Sequence, residues 1–256
     1  MILRRGVLGA NGLWWLDSAL VPELPDFARA EPVYEGTYTR IWWHPDREAL
    51  VSKLSWAKTA PRDNVRKYWA CQAQREISAN RIMQRLGLTT AELLGFGVSV
   101  APWARLESIL FMRQLPAHDT LRVVLRNTGD PALRAALLGQ VATDLAAIYR
   151  NGYHHKDCHF ENVLQARGRD ETAVAKPGIR ALIWIDNDLR YSVRPRLARR
   201  RLVSSLKQLR ETSLDFVTIT EWRAFAHVFA GQMRSTRLGD CLAATAVVDF
   251  CEWLDE

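Results

Sequence analysis

The apolar positions change period along the chain, and those changes mark its elements. From Val33 to Leu54 apolar and aromatic residues come in short runs (Tyr38, Arg40 to Trp43, Ala49 to Leu54), with His44-Pro45-Asp46 between them. Branched and aromatic runs around a Pro-Asp turn predict a strand hairpin. Residues 63–86 then follow a helical period. Val65, Trp69, Ala73 and Ile77 recur four apart, Asp63 is placed to cap the start, and Gly87 to stop the end. Ala91 to Val100 and Ser108 to Met112 predict two further strands. Residues 1–30 show no clear period and hold turn-formers at Pro22, Pro25 and Asp26, so they read as an extension of this first half.

In the second half, Asp130-Pro131 is a helix start with proline at the first position. Leu133, Leu137, Leu138, Val141, Leu145 and Ile148 give that helix a wide apolar face, which ends at Gly152. A short polar-apolar stretch, Tyr153 to Leu164, runs into a strand. Gln165 to Gly178 is a polar loop, and Leu182-Ile183-Trp184-Ile185 is a second strand closing on Asp186. Two amphipathic helices finish the chain, one opened by a capping box at Thr218 to Glu221, the other over Leu242 to Leu254.

Composition narrows the class. With 256 residues, 48% hydrophobic and 25% charged, the chain suffices for one bilobal domain or two small ones. The net charge of +7 favours acidic partners (nucleic acid, phosphorylated ligands or an anionic membrane face), and plain solubility explains so modest an excess equally well. Cys71, Cys158, Cys241 and Cys251 form no C-x-x-C and read as reduced thiols. The apolar start is broken by Gly9, Asn11, Gly12 and Asp17, unlike a signal peptide, and no apolar run is long enough to span a bilayer. A cytoplasmic protein, peripheral at most, is expected. Six of the ten tryptophans fall within residues 14–69, where core packing is their first use and a membrane interface their second.

The candidate chemistry lies in His155-x-Asp157-x-x-x-x-Asn162 and in Asp186 at the end of the next strand. A zinc site is the alternative, from His154, His155, Cys158 and His159, but no second ligand pair occurs elsewhere and the Asp–Asn–Asp series would go unused. Helix, H-x-D-x-x-x-x-N, short strand, second strand ending in Asp: this order resembles the catalytic and metal-binding segments of the protein-kinase fold. The resemblance implies that Asp157 orients and deprotonates an acceptor hydroxyl, and that Asn162 and Asp186 supply hard oxygens to Mg2+. Gly36, in Glu35-Gly36-Thr37-Tyr38-Thr39-Arg40, stands where a glycine-rich loop would cover phosphate, although one glycine replaces three. Lys53, inside an apolar strand, matches the lysine that contacts the α- and β-phosphates; Lys58 is its rival, and an edge-strand gatekeeper its bland alternative. Glu76 on the following helix is Lys53's implied partner. Gln114 and Leu115 fall at the hinge whose backbone would hold adenine. After Asp186 the chain reads Asn187-Asp188, without the Phe and Gly of D-F-G. Arg190, Arg194, Arg196, Arg199, Arg200 and Arg201 follow where a substrate-binding segment would lie, with a solvated helix face as the even alternative.

Over Tyr34 to Leu209 these features are most similar to the bacterial lipopolysaccharide kinases, which phosphorylate Kdo or heptose in the inner core. That resemblance implies an α+β, bilobal protein-kinase-like fold: a small antiparallel-sheet N-lobe with one helix (1–116) and a mainly helical C-lobe (117–256). It implies ATP and Mg2+ as cofactors and a sugar hydroxyl on an anionic lipid-linked oligosaccharide as acceptor. It further implies work at the cytoplasmic face of the inner membrane, possible peripheral contact with that membrane, and no nucleic-acid partner. Ser204 and Ser205 stand where kinases carry an Asp that braces the catalytic loop, so a slacker Asp157 is expected. Lys156 replaces the Arg that reads a phosphorylated activation segment, so regulation of that kind is not expected. Two other readings use the same residues: a small-molecule phosphotransferase of the aminoglycoside or choline type, and a catalytically weak kinase-like regulatory protein.

Overall fold

The apolar runs of the first half pair into one antiparallel sheet. The computed structural model describes residues 5–9, 12–17, 31–44, 50–57, 62–100, 105–115, 117–167, 174–176, 179–191 and 195–233. The chain divides into two compact units, Met1–Ser78 with Ala91–Pro116, and Ala79–Thr90 with Ala117–Glu256.

In chain order the first elements are β1 (Arg5–Gly9), β2 (Gly12–Asp17), β3 (Tyr34–Glu35), β4 (Thr39–His44), β5 (Leu50–Trp56), α1 (Arg62–Ala70) and α2 (Gln72–Arg85). After β6 (Thr89–Thr90), which belongs to the second unit, come β7 (Leu93–Ser99) and β8 (Leu106–Arg113). The seven-stranded sheet of the first unit has the order β1-β2-β7-β8-β5-β4-β3. Side chains alternate across a strand, so Trp42, Leu50, Leu54, Ile109 and Phe111 form one apolar layer, and Ala73 of α2 packs with Phe96, Val98 and Leu110 in another.

Residues 1–30 extend the first unit as expected, through the β1–β2 hairpin, paired Arg5 to Leu16 and joined to β7 through Trp14 and Ser99. The run Leu13-Trp14-Trp15-Leu16 does not alternate, so its period gives no strand signal. One expectation needs correction. The expected single helix over 63–86 is two, broken at Cys71, and Asp63 lies inside α1 rather than capping it. The break shifts the phase of the stripe: Val65 and Trp69 are exposed, while Cys71 and Ala73 are buried. Two distant side chains and Cys71 itself cap the new helix start. Glu107 Oε1 accepts from the Gln72 amide (3.0 Å), Ser108 Oγ from Ala73 (3.3 Å) and Cys71 Sγ from Gln74 (3.4 Å), satisfying N–H groups that a helix leaves open.

The second unit continues with β9 (His118–Thr120), α3 (Leu121–Asn127), α4 (Pro131–Arg150), β10 (Tyr153–His155), β11 (Val163–Ala166), β12 (Val174–Lys176), β13 (Ile179–Arg180), β14 (Ile183–Trp184), β15 (Leu189–Tyr191), α5 (Pro195–Glu211) and α6 (Ile219–Met233). Asp130 caps α4 through the Ala132 amide (2.9 Å), and the wide face of α4 is buried against Trp222, Phe225 and Phe229 of α6 in one core. Thr218 and Glu221 make the reciprocal bonds of the expected capping box. A small sheet, β6-β14-β11-β9, and the pair β10–β15 lie at the ends of these helices' connections. β12 lies within the expected polar loop and pairs with β13 just beyond it, and the expected helix at Leu242 to Leu254 falls outside the described residues.

Gly152 ends the α4 turn at φ +79°, and a Cβ there would lie 2.8 Å from Cε2 of Tyr191. Gly152→Ala is expected to lower stability by about 1–3 kcal/mol, whereas Gly231→Ala, exposed in α6 with nothing within 4 Å of the new Cβ, should raise it by about 0.5–1 kcal/mol. Urea unfolding of both variants checks the opposite signs.

Candidate active site

The loop after β10 is built by alternation. From Asp157 to Asn162, Cys158, Phe160 and Asn162 are buried, while Asp157 and His159 are half-buried and Glu161 is exposed. Phe160 anchors the loop in the core, its ring 5.8 Å from Phe216 and 6.2 Å from Trp222. The polar members are thereby held at the surface of that anchor. A 3-10 turn at Phe160–Asn162 then brings Asn162 back toward the start of the loop. Its Nδ2 donates to the backbone oxygen of Asp157 (3.0 Å), and Asn162 Oδ1 accepts no hydrogen bond from a described residue. The carbonyl of Asn162 accepts from the Ile185 amide (2.9 Å), which sets Asp186 beside it at the end of the β11–β14 pair. Asp157, Asn162 and Asp186 are thus linked through one side chain–backbone bond and one backbone bond.

Asp186 adopts φ +50°, the left-handed region that few non-glycine residues occupy. What holds it there is its neighbour. Asn187, nearly fully buried, donates from Nδ2 to Asn80 Oδ1 (2.6 Å) and to the Trp184 carbonyl (3.2 Å), and its Oδ1 lies 3.1 Å from His155 Nε2. A polar latch therefore replaces the missing Phe. Asp188 Oδ2 accepts from Arg190 Nη2 (3.1 Å), Arg190 Nε lies 3.0 Å from Oδ1, and the Asp188 carbonyl receives the Lys156 amide (3.0 Å).

Asp157 itself is contacted on one oxygen. Gln208 Nε2 donates to Oδ1 (3.2 Å), and His159 Nε2 lies 3.4 Å from the same atom. The adjacent His159 ring holds the Asp157 carboxyl below the usual carboxylate range, against the effect of burial, and Asp157 in turn raises His159. The slackness expected from the missing brace is taken up by α5, where buried Ser205 donates to the His155 carbonyl (2.9 Å). The bracing hydroxyl and Gln208 were not foreseen, since both lie about fifty residues from the loop.

The zinc alternative fails on these contacts. Among the described residues no group of three His, Cys, Asp or Glu side chains could hold a metal ion. Burial pushes the Cys158 thiol up to about 12, and His155 is engaged by Asn187. Asn162 Oδ1 and the Asp186 carboxylate are instead hard oxygens of the kind that could hold Mg2+ together with phosphate oxygens.

In the first unit, Lys53 lies between Ile41 and Leu110 in the sheet, and its Nζ is 3.0 Å from Glu76 Oε1, both side chains buried. Gln72 Nε2 donates to the same oxygen (3.0 Å). Gly36 sits in the β3–β4 turn, its amide bonded to the Thr39 carbonyl (2.8 Å). Gln114 and Leu115 are half-buried just after β8. Of the arginine run, Arg190 is engaged by Asp188, Arg194 lies outside the described residues with Lys58, and Arg196 to Arg201 belong to α5, where Arg200 is exposed.

A family model described as the lipopolysaccharide kinase (Kdo/WaaP) family matches residues 37–229. A solved structure of WaaP in complex with acyl carrier protein is similar, with a TM-score of 0.61 at 19% identity over 89% of this chain and 86% of that one. That likeness shows the protein-kinase-like fold. No curated protein sequence matches the chain. Among the described residues no helix is long and apolar enough to cross a membrane.

His154 is buried in β10 beside Arg201 and Arg190, and burial with those charges depresses it to about 4. It stays neutral in the fold, so its contribution is present above the unfolded value of about 6.5 and is lost as pH falls toward 4. His159, raised by Asp157, works with the opposite sign. Thermal unfolding of His154→Gln should therefore lose less stability than wild type between pH 6.5 and 4; parallel losses would contradict the assignment.

Proposed function

The chain belongs to the lipopolysaccharide kinase (Kdo/WaaP) family, and we propose that it transfers the γ-phosphoryl group of ATP to a heptose or Kdo hydroxyl of the anionic, lipid-linked inner core. Members of this family are kinases that phosphorylate sugar hydroxyls. The observation that carries the residue-level reading is the bond from Asn162 Nδ2 to the Asp157 carbonyl (3.0 Å), which joins the base and a cation ligand in one turn.

In this reading the acceptor hydroxyl gives its proton to Asp157 as its oxygen attacks the γ-phosphorus, and ADP leaves with the bridging oxygen. Mg2+, when bound, neutralises phosphate charge, and Asn162 Oδ1 and Asp186 are the residues that would hold it. Lys53 contacts the α- and β-phosphates, and Glu76 keeps its ammonium aimed; a buried ammonium without such a partner would be costly. The Gly36 turn lets backbone approach phosphate, and the backbone of Gln114 and Leu115 receives adenine. Arg194, Arg196, Arg199, Arg200 and Arg201 are proposed to grip sugar carboxylates or phosphates, since guanidinium groups bind both in bidentate fashion. Arg190 serves the loop through Asp188 instead.

Steady-state transfer from ATP to purified core oligosaccharide tests the assignment. Asp157→Ala should lower turnover by roughly a hundredfold to ten-thousandfold, with nucleotide binding retained. Asp186→Asn should weaken ATP binding in calorimetry only when Mg2+ is present. Near-normal turnover of a folded Asp157→Ala variant, or equal Mg2+ dependence in Asp186→Asn and wild type, would contradict these roles.

A further inference from the structure

We infer that Gln208 is a positioning residue that selects which oxygen of Asp157 meets the acceptor hydroxyl; the inference rests on the catalytic role proposed for Asp157. Ser205 and Gln208 lie three apart on α5, so they share one helix face. Ser205 fixes that face to the end of β10 through the His155 carbonyl (2.9 Å), and Gln208, one turn on, reaches Asp157, two residues beyond His155. Both contacts to the Asp157 carboxylate, from Gln208 and from His159, converge on Oδ1. Oδ2 receives no hydrogen bond from any described residue.

A carboxylate turns easily about its last torsion, which has no sharp staggered wells. The Gln208 donor on Oδ1, with the His159 ring 3.4 Å from the same oxygen, restrains that freedom and leaves the other oxygen's lone pairs for the substrate. The neutral amide of Gln208 suits this task, because it holds Oδ1 without bringing a second full charge into competition for the acceptor's proton. The loop backbone is held separately, by Ser205 and by Asn162, so Gln208 acts on the side chain alone. No residue of the local H-x-D-x-x-x-x-N pattern supplies this contact.

The test uses the whole 256-residue chain with ATP and core oligosaccharide, and two variants that lack the donor: Gln208→Met, which keeps the length of the side chain, and Gln208→Glu, which keeps its shape. Each should lower kcat about tenfold to a hundredfold, the range expected for misplacing a catalytic group by up to an ångström, with the KM for ATP within twofold of wild type. The loss should act through Asp157: combined with Asp157→Ala, Gln208→Met should give no more loss than Asp157→Ala alone. Unchanged kcat in either folded variant would overturn the inference. So would a parallel rise in the ATP KM, or losses that multiply in the double variant, both marks of a merely structural role. Wild-type protein that transfers no phosphate, or an active Asp157→Ala variant, would instead overturn the parent reading, and this one with it.

Discussion

A buried polar group must find a partner or cost the fold about 1–3 kcal/mol, and the turn around His155 concentrates such groups. The carbonyl of His155 takes the Ser205 hydroxyl, its Nε2 meets Asn187, and Asn187 goes on to Asn80 and the Trp184 carbonyl. All but the bond to Trp184 cross between elements distant in sequence. Together they join β10, α2, the β14 end and α5 around one imidazole, which burial keeps neutral. Asp157, two residues beyond His155, and Asp186, next to Asn187, are the two carboxylates proposed to act in the chemistry. Their placement follows from polar satisfaction nearby, and the left-handed backbone at Asp186 persists because Asn187 is held from three sides.

The first unit meets the same constraint with charge. Lys53 lies inside a sheet layer of apolar side chains and stays tolerable because Glu76 reaches it at 3.0 Å, with Gln72 bonded to the same carboxylate oxygen. The break at Cys71, capped by Glu107 and Ser108 from β8, parts the exposed Val65 and Trp69 of α1 from the buried Ala73 of α2.

What could be read in the sequence was what depends on local order. The hairpin of β4 and β5, the start of α4 at Asp130-Pro131, the capping box of α6 and the H-x-D-x-x-x-x-N loop all declare themselves within a few residues. Lys53 and Glu76 could be paired because the family resemblance supplied the long-range contact. The break at Cys71 could not be read, since its capping atoms sit 35 residues away. β1 and β2 escaped because four consecutive apolar residues carry no period. Ser205 and Gln208 were legible only as a missing Asp: the sequence shows that a carboxylate is absent, but not that a hydroxyl and an amide one turn apart do its work.

The most direct measurement is the mass of the acceptor. Core oligosaccharide incubated with the wild-type protein, ATP and Mg2+ should gain the mass of one phosphoryl group on a heptose or Kdo residue, located by fragmentation, in step with the ADP released. ADP formed while the oligosaccharide keeps its mass, or a phosphoryl group carried by a small alcohol in preference to the core, would contradict the account.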